Sequence, residues 1–287
     1  NSSIQITSIE LWTTNTNNTT NNVRNIVAIA DLGESNVTNG NIGNTEIAVT
    51  GQLPNYIPDN SVNELNSILT ESGPIRNIST IPDAFGGIVP ITSPMQQGRD
   101  YSVLENARRL MEGVDFKLDR QLGFISLNRR LAESDVLAVA FEYTVNGSSE
   151  VYKVGELSSD GIIAPSNIVV KLLRGELVIT DIPVWNLMMK NIYNLQAFQL
   201  NEEGFRLEIL YENDATGVPL NTLQGAQTPD VSTQTLLNLL YVDRLDQNDY
   251  EVTNGDGYFD FVEGITIYAN KGYIIFPKVQ PFGSHLD

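Results

Sequence analysis

Apolar residues recur along this chain mostly at alternate positions, the period of a half-buried strand. Ile4, Ile6, Ile9 and Leu11 mark a first strand between Ser3 and Trp12, and Asn25–Ala30 marks a buried second one closed by Asp31-Leu32-Gly33. Val114, Phe116 and Leu118 alternate with Asp115, Lys117 and Asp119; a turn at Arg120–Gly123 then sends the chain back along Phe124–Leu127. Ser134–Val145 predicts the longest strand. Val136, Ala138 and Ala140 take one face, and Leu137, Val139, Phe141, Tyr143 and Val145 the other. Asn146-Gly147 is a hairpin signal whose returning arm is Val151–Val154. Phe205–Tyr211, Ile265–Tyr268 and Tyr273–Phe276 complete the strands, the last two joined at Asn270-Lys271-Gly272.

Four segments carry helical spacing instead. Ser61–Thr70 places Val62, Leu65, Ile68 and Leu69 on one face. Ser102–Glu112 does so with Val103, Leu104, Ala107, Leu110 and Met111, and Gly113 supplies a stop. Residues 183–195 follow a cap at Asp181, with Pro183 in the first turn and Trp185 on the apolar stripe, hence in the core. Residues 233–242 follow a cap at Ser232 or Thr233. Asn15–Asn22 and Ser35–Asn44 are polar loops, and Pro82–Pro94 is coil. The sum is a β-dominated α+β fold: packed antiparallel sheets, sandwich-like, with a few marginal helices. Residues 51–100 hold six of the twelve prolines. Their irregularity suggests a boundary, with an N-terminal β-rich subdomain over 1–100 and the main antiparallel subdomain over 101–287.

Charge narrows the partners. Thirty-five acidic against 17 basic residues give a net charge of −18, which repels nucleic acid and anionic lipid. The apolar runs are far shorter than the ~20 residues of a membrane helix. Cysteine is absent, which removes disulfides, thiolate chemistry and Cys-based zinc sites together. Abundant Asn and Thr with little Lys suit a cell-surface protein. Asn1-Ser2-Ser3 and Phe282–Asp287 are expected to be interior points of a longer polypeptide.

Candidate chemistry is sparse. The single histidine, His285, offers no base beside a serine, and no glycine-rich phosphate loop is present. Glu142, Glu150, Glu156, Glu176, Glu203 and Glu208 fit solvated strand faces and turns better than a glycosidase pair. No catalytic residue is assigned. The densest polar cluster runs Asp243-Arg244-Leu245-Asp246-Gln247-Asn248-Asp249, then Asn254-Gly255-Asp256-Gly257-Tyr258-Phe259-Asp260 and Glu263. Hard oxygen ligands on a glycine-bearing loop are what Ca²⁺ requires, yet EF-hand spacing fails: counted from Asp246, Tyr250 and Glu251 fall where a ligand and a glycine belong. Two readings stay open. One is a different calcium loop uniting Asp246, Asn248, Asp256 and Asp260; the other is a turn rich in residues that bond their own backbone. Trp12, closing its strand, fits either a core position or a sugar-stacking one.

Several long strings add a resemblance. Asp115–Asn128 (DFKLDRQLGFISLN), Val136–Thr144 (VLAVAFEYT) and Val154-Gly155-Glu156 resemble the SprA family of gliding-motility and secretion proteins of Bacteroidetes. So do Trp185–Tyr193, Asp214–Gly217 and Gly257–Thr266 (GYFDFVEGIT), with Ile9–Trp12, Arg24–Ala28 and Asp31–Glu34 near the start. The likeness spans nearly the whole chain and is weakest over 51–100.

The resemblance implies a place in the outer-membrane translocon of the type 9 secretion system, a very large β-barrel that exports folded proteins. Implied partners are the remainder of the chain's own barrel, an outer-membrane shuttle protein, a periplasmic plug protein and secreted cargo. The family implies no catalytic residue, and no cofactor is expected beyond the calcium reading above. The sequence lacks the repeated ~10-residue lipid-facing alternation of barrel strands. It is therefore expected to be a folded insertion outside the bilayer, on the extracellular rather than the periplasmic side. A calcium-dependent adhesin or glycan-binding module is the alternative from another class.

Overall fold

Five strands of the N-terminal unit close on themselves. In the computed structural model, residues 4–32, 57–61, 65–71, 73–85, 95–120, 123–145, 148–180, 182–214, 216–223 and 229–283 are described. The chain divides into two units, Asn1–Met188 and Met189–Asp287. The boundary expected at residue 100 thus falls inside the first unit.

That unit contains β1 (Ile4–Thr13), β2 (Val23–Ile29), α1 (Leu65–Glu71), α2 (Ile81–Phe85), β3 (Tyr101–Leu110), β4 (Phe116–Asp119), β5 (Phe124–Leu127), β6 (Leu137–Val145), β7 (Val151–Val154) and β8 (Ile168–Arg174). The strands pair in the order β1-β3-β2-β8-β6, and β6 pairs back to β1 over its full length, completing a ring. β7 takes the edge of β6 beyond the stretch bonded to β8. All pairs are antiparallel except β2–β8. The β-dominated α+β character holds, and its antiparallel sheet is a small barrel.

A five-stranded ring is narrow, so some of its inward positions must be small to make room for larger ones. Ala28, Ala107, Ala138 and Ala140 share the interior cluster with Trp12, Ile26, Leu104, Ile168, Val170 and Leu172. Trp12, 2 % exposed, is a core residue. Glu10 pairs with Ala140 in register, and its carboxylate accepts from the Ser158 backbone at 2.8 Å and from the Ser158 hydroxyl; Arg109 approaches at 3.2 Å.

Outward-facing residues are covered on two sides. Leu69, Ile75, Ile81, Ala84 and Phe85 pack on Val27, Ile29, Tyr101 and Val169. Phe85 stacks on Tyr101 with ring centroids 4.0 Å apart. Residues 65–71 and 73–85 thus form a cover. Its part at Ile81–Phe85 is helical rather than coil, and residues 86–94 lie outside the description. On the other side Phe116, with Leu118, Ile125 and Leu127 of the β4–β5 hairpin, packs on Leu11, Leu110, Leu137 and Val139.

The helix expected at 102–112 is the strand β3. Its helical spacing comes from a bulge: Glu105 and Asn106 together face Asn25, so the register slips between Ile26↔Leu104 and Arg24↔Ala107. Asn106 sits at φ +52° and its N–H donates to Asn25 Oδ1 at 2.9 Å. Leu104 and Ala107 thereby share a face, three apart, as they would on a helix. A second slip between Ile6 and Ser8 explains why the apolar positions of β1 change from even to odd.

In the second unit lie β9 (Ile192–Asn194), β10 (Tyr211–Glu212), β11 (Pro219–Leu220), α3 (Pro229–Thr233), α4 (Leu236–Leu239), β12 (Ile267–Tyr268) and β13 (Tyr273–Ile275). β12, β13 and β9 form a three-stranded antiparallel sheet, and β10 with β11 a separate hairpin. The helix expected over 183–195 is a 3₁₀ turn at Pro183–Leu187 followed by β9. Ile192 and Tyr193 align with Ile275 and Ile274, a pairing that overrides local helical spacing. Trp185 is half-buried. The helix expected over 233–242 is shorter, capped by Thr235, whose side chain accepts from Asn238 N–H. Phe205–Leu210 runs extended with alternating burial but without ladder pairing. Leu207 and Ile209 pack against Leu237, Leu240, Val242, Ile274 and Phe276. Gly272, at φ +64°, lies where a Cβ would overlap the Ala197 carbonyl. The loop expected at Ser35–Asn44, the cap at Asp181, the Asn146-Gly147 turn and His285 lie outside the described residues.

Candidate functional site

Two carboxylates fasten the polar loop in opposite directions. Asp243, fully buried just after α4, accepts from the backbone N–H of Asp256 at 2.9 Å and of Gly257 at 3.2 Å. Asp260 reaches back and accepts from the N–H of Arg244 at 2.6 Å and of Leu245 at 3.2 Å. The Asp260 N–H donates to the Val242 carbonyl at 2.8 Å. Each acid thus pins the segment next to the other, and residues 243–260 close into a clasp.

Glycine makes the clasp possible. A Cβ on Gly255, at φ +67°, would overlap the Asp243 carboxylate. Asn238, 1 % exposed, donates from Nδ2 to the Asp243 carbonyl at 2.9 Å and so ties the loop to α4. Thr266 finishes the far end: its hydroxyl donates to the Asp260 carbonyl and accepts from Val262 N–H at 3.0 Å.

Burial pushes the Asp243 carboxyl above its ordinary range. The N–H bonds oppose that shift, and the charges of Asp256 and Asp260 add to it. Asp260 is raised for the same leading reason. Asp246 goes the other way, held low by N–H bonds from Tyr250 and Asn248.

Of the four residues expected as a calcium set, the structure separates two from the other two by role. Asp246 Oδ1 accepts from Asn248 N–H at 2.8 Å and Tyr250 N–H at 3.0 Å, a self-contained turn that uses Asn248 through its backbone. Asp256 Oδ1 caps Tyr258 N–H at 3.0 Å, and Asp260 belongs to the clasp. Among the described residues, no three His, Asp or Glu side chains converge as a metal would require. Asp243, the pivot of the loop, lay outside that set; its signal was an acid placed directly after the apolar run Leu239–Val242.

Four of the six other carboxylates singled out in the sequence have side-chain partners. Glu156 is paired with Arg76, Glu142 with Lys153 at 3.3 Å and Glu208 with Arg206 at 3.1 Å, while Glu150 accepts from the Tyr152 hydroxyl. Two open depressions indent the described surface. One of about 370 Å³ is lined by Asn18–Asn22, Arg108, Arg109 and Met111, and one of about 440 Å³ by Glu202, Leu245, Asp249, Phe261, Val262 and Glu263. The clasp instead holds out aromatic side chains: Tyr250 is 71 % and Tyr258 54 % exposed. No protein-family model matches the chain, and no curated protein matches its sequence. Among the described residues no helix is long and apolar enough to cross a membrane.

Proposed function

We propose that this chain is a non-catalytic body of an outer-membrane protein-secretion translocon of the type 9 kind, serving export and gliding motility. It stands outside the bilayer between strands of the parent barrel, on the extracellular side, and shields or narrows the exit of the pore. Its partners are the remainder of its own chain, the shuttle and plug proteins, and passing cargo. The observation that carries this reading is the SprA-like strings, which fall in both units. Val136–Thr144 supplies most of β6, the strand that bonds to β1, β7 and β8, and Gly257–Thr266 supplies half of the clasp. A barrel whose inward positions are filled by Trp12 and alanines suits a rigid spacer rather than a conduit.

The test is an epitope placed at the exposed turn beside Thr216 and Gly217 of the parent protein in cells. Antibody should label intact cells, and an in-frame deletion of residues 4–283 should leave the parent in the outer membrane while impairing cargo export. Labelling only after the outer membrane is opened would sink the extracellular placement. Unchanged export after the deletion would sink the function.

A further inference from the structure

Tyr241 follows α4 at φ +63°, in the left-handed region that bulky side chains rarely occupy. It is 41 % exposed, yet its ring has two cationic neighbours: Arg244 Cζ and Lys278 Nζ each lie 4.4 Å from the ring centroid. Both contacts are within cation–π range.

What these cations lack is equally specific. Arg244 is flanked by Asp243 and Asp246, but both carboxylates are turned to backbone N–H groups. Among the described residues neither Arg244 nor Lys278 has a carboxylate within ion-pairing distance. Arg244 Nη1 donates to the Thr253 carbonyl at 3.1 Å, and its Nε is buried without a hydrogen-bond partner. Val279, next to Lys278, is 70 % exposed. The clasp therefore withholds its own acids from two cations that share one strained tyrosine ring.

We propose that Tyr241, Arg244 and Lys278 form a docking site for an acidic segment of a partner polypeptide. A carboxylate completes the two cations, and the tyrosine ring and Val279 take the aliphatic part of the segment. Tyrosine and arginine are the side chains that dominate protein–protein contacts, and the feature is open rather than a small-molecule pocket. Charge argues against the other occupants. Nucleic acid and anionic lipid present extended rows of negative charge, which a chain of net charge −18 repels, whereas a short segment need bring only a few carboxylates to the two local cations. The proposal does not depend on the secretion reading.

The experiment is a titration of the whole isotopically labelled chain with hexaglutamate at low salt, followed by amide NMR shifts, with hexalysine as control. Saturable shifts should centre on Tyr241, Arg244, Lys278 and Val279, and the R244Q/K278Q variant should weaken them roughly tenfold while its amide spectrum away from these residues stays that of the parent, showing the fold intact. Tyr241→Gly suits the left-handed backbone, so it should bind less while melting no lower. Shifts elsewhere, or shifts unaffected by R244Q/K278Q, would overturn the proposal. So would inorganic phosphate alone saturating the same resonances at the same concentration, which would make this a small-anion site. Dimers that R244Q/K278Q dissolves would assign the face to a second copy.

Discussion

Arg76 meets Glu156 through two parallel N–H···O bonds of 2.6 and 2.7 Å, joining residues 80 positions apart. Arg76 also donates to the Asn167 and Thr70 carbonyls, and Glu156 accepts from Val169 N–H at 2.8 Å. The pair therefore bolts the 65–85 cover to the end of β7 and the start of β8. Removing one partner leaves the other partly buried and unpaired. Side-chain exposures of 25 % and 12 % put the cost of Arg76→Ala below that of a fully enclosed pair, at about 2–3 kcal/mol. Arg76→Lys should lose the fork geometry and cost about half as much. Urea midpoints read both, and a loss under about 0.5 kcal/mol for Arg76→Ala would show that the cover is held by apolar packing alone.

Asn106 tests the bulge that gives β3 its irregular spacing. At φ +52° asparagine is tolerated and glycine is comfortable, whereas a β-branched side chain is strained. Asn106→Gly should be neutral within about 0.5 kcal/mol, and Asn106→Val should cost about 1–2 kcal/mol. Thermal denaturation of the two variants side by side measures it. Equal losses would mean that the asparagine side chain matters rather than its backbone.

The same bulge shows what a sequence can convey. β6 was legible because its alternation is unbroken: Val136, Ala138 and Ala140 face the barrel interior, while Leu137 and Val139 pack beneath the β4–β5 hairpin. β3 was not, because one extra residue turned a period of two into a step of three, the helical signature. β8 was missed for another reason. Ile168, Val169, Val170 and Leu172 are all buried, so no alternation marks them, and their parallel partner β2 is remote in sequence. In the polar loop the acids were visible, but not which way each faces. Asp243 and Asp260 gain their roles from amides 13 to 16 positions away, which no local spacing encodes.

Acid should strengthen the second unit before it weakens it. The carboxyls of Asp243 and Asp260 are raised above the ordinary value of 3.8, chiefly by burial. A raised group contributes stability fully below 3.8 and loses that contribution as pH climbs through its folded value. Lowering the pH from neutral toward 3.8 therefore adds stability from these two groups. Asp246 is lowered, so its contribution is kept down to 3.8 and lost only below it. The second unit's urea midpoint should rise between about pH 7 and about 4. Asp243→Asn should flatten that rise; an unchanged slope in this variant would assign the effect to general charge repulsion.

Calcium should leave the loop as it is. Asp246, Asp256 and Asp260 already spend carboxylate oxygens on backbone N–H groups, and Asn248 enters its turn through the backbone. A hard cation needs six or more oxygens arranged around it, so binding would require those bonds to break and the clasp to open. Chelator treatment followed by millimolar Ca²⁺ should shift the melting temperature by less than about 1 °C, since a ligand at 100 times its Kd adds about 2.7 kcal/mol and would move it several degrees. The amide resonances of Asn248, Tyr250 and Tyr258 should likewise stay in place. A saturable calcium-dependent rise in melting temperature, abolished by Asp260→Asn, would show instead that the loop rearranges into a cation site and would favour the adhesin reading.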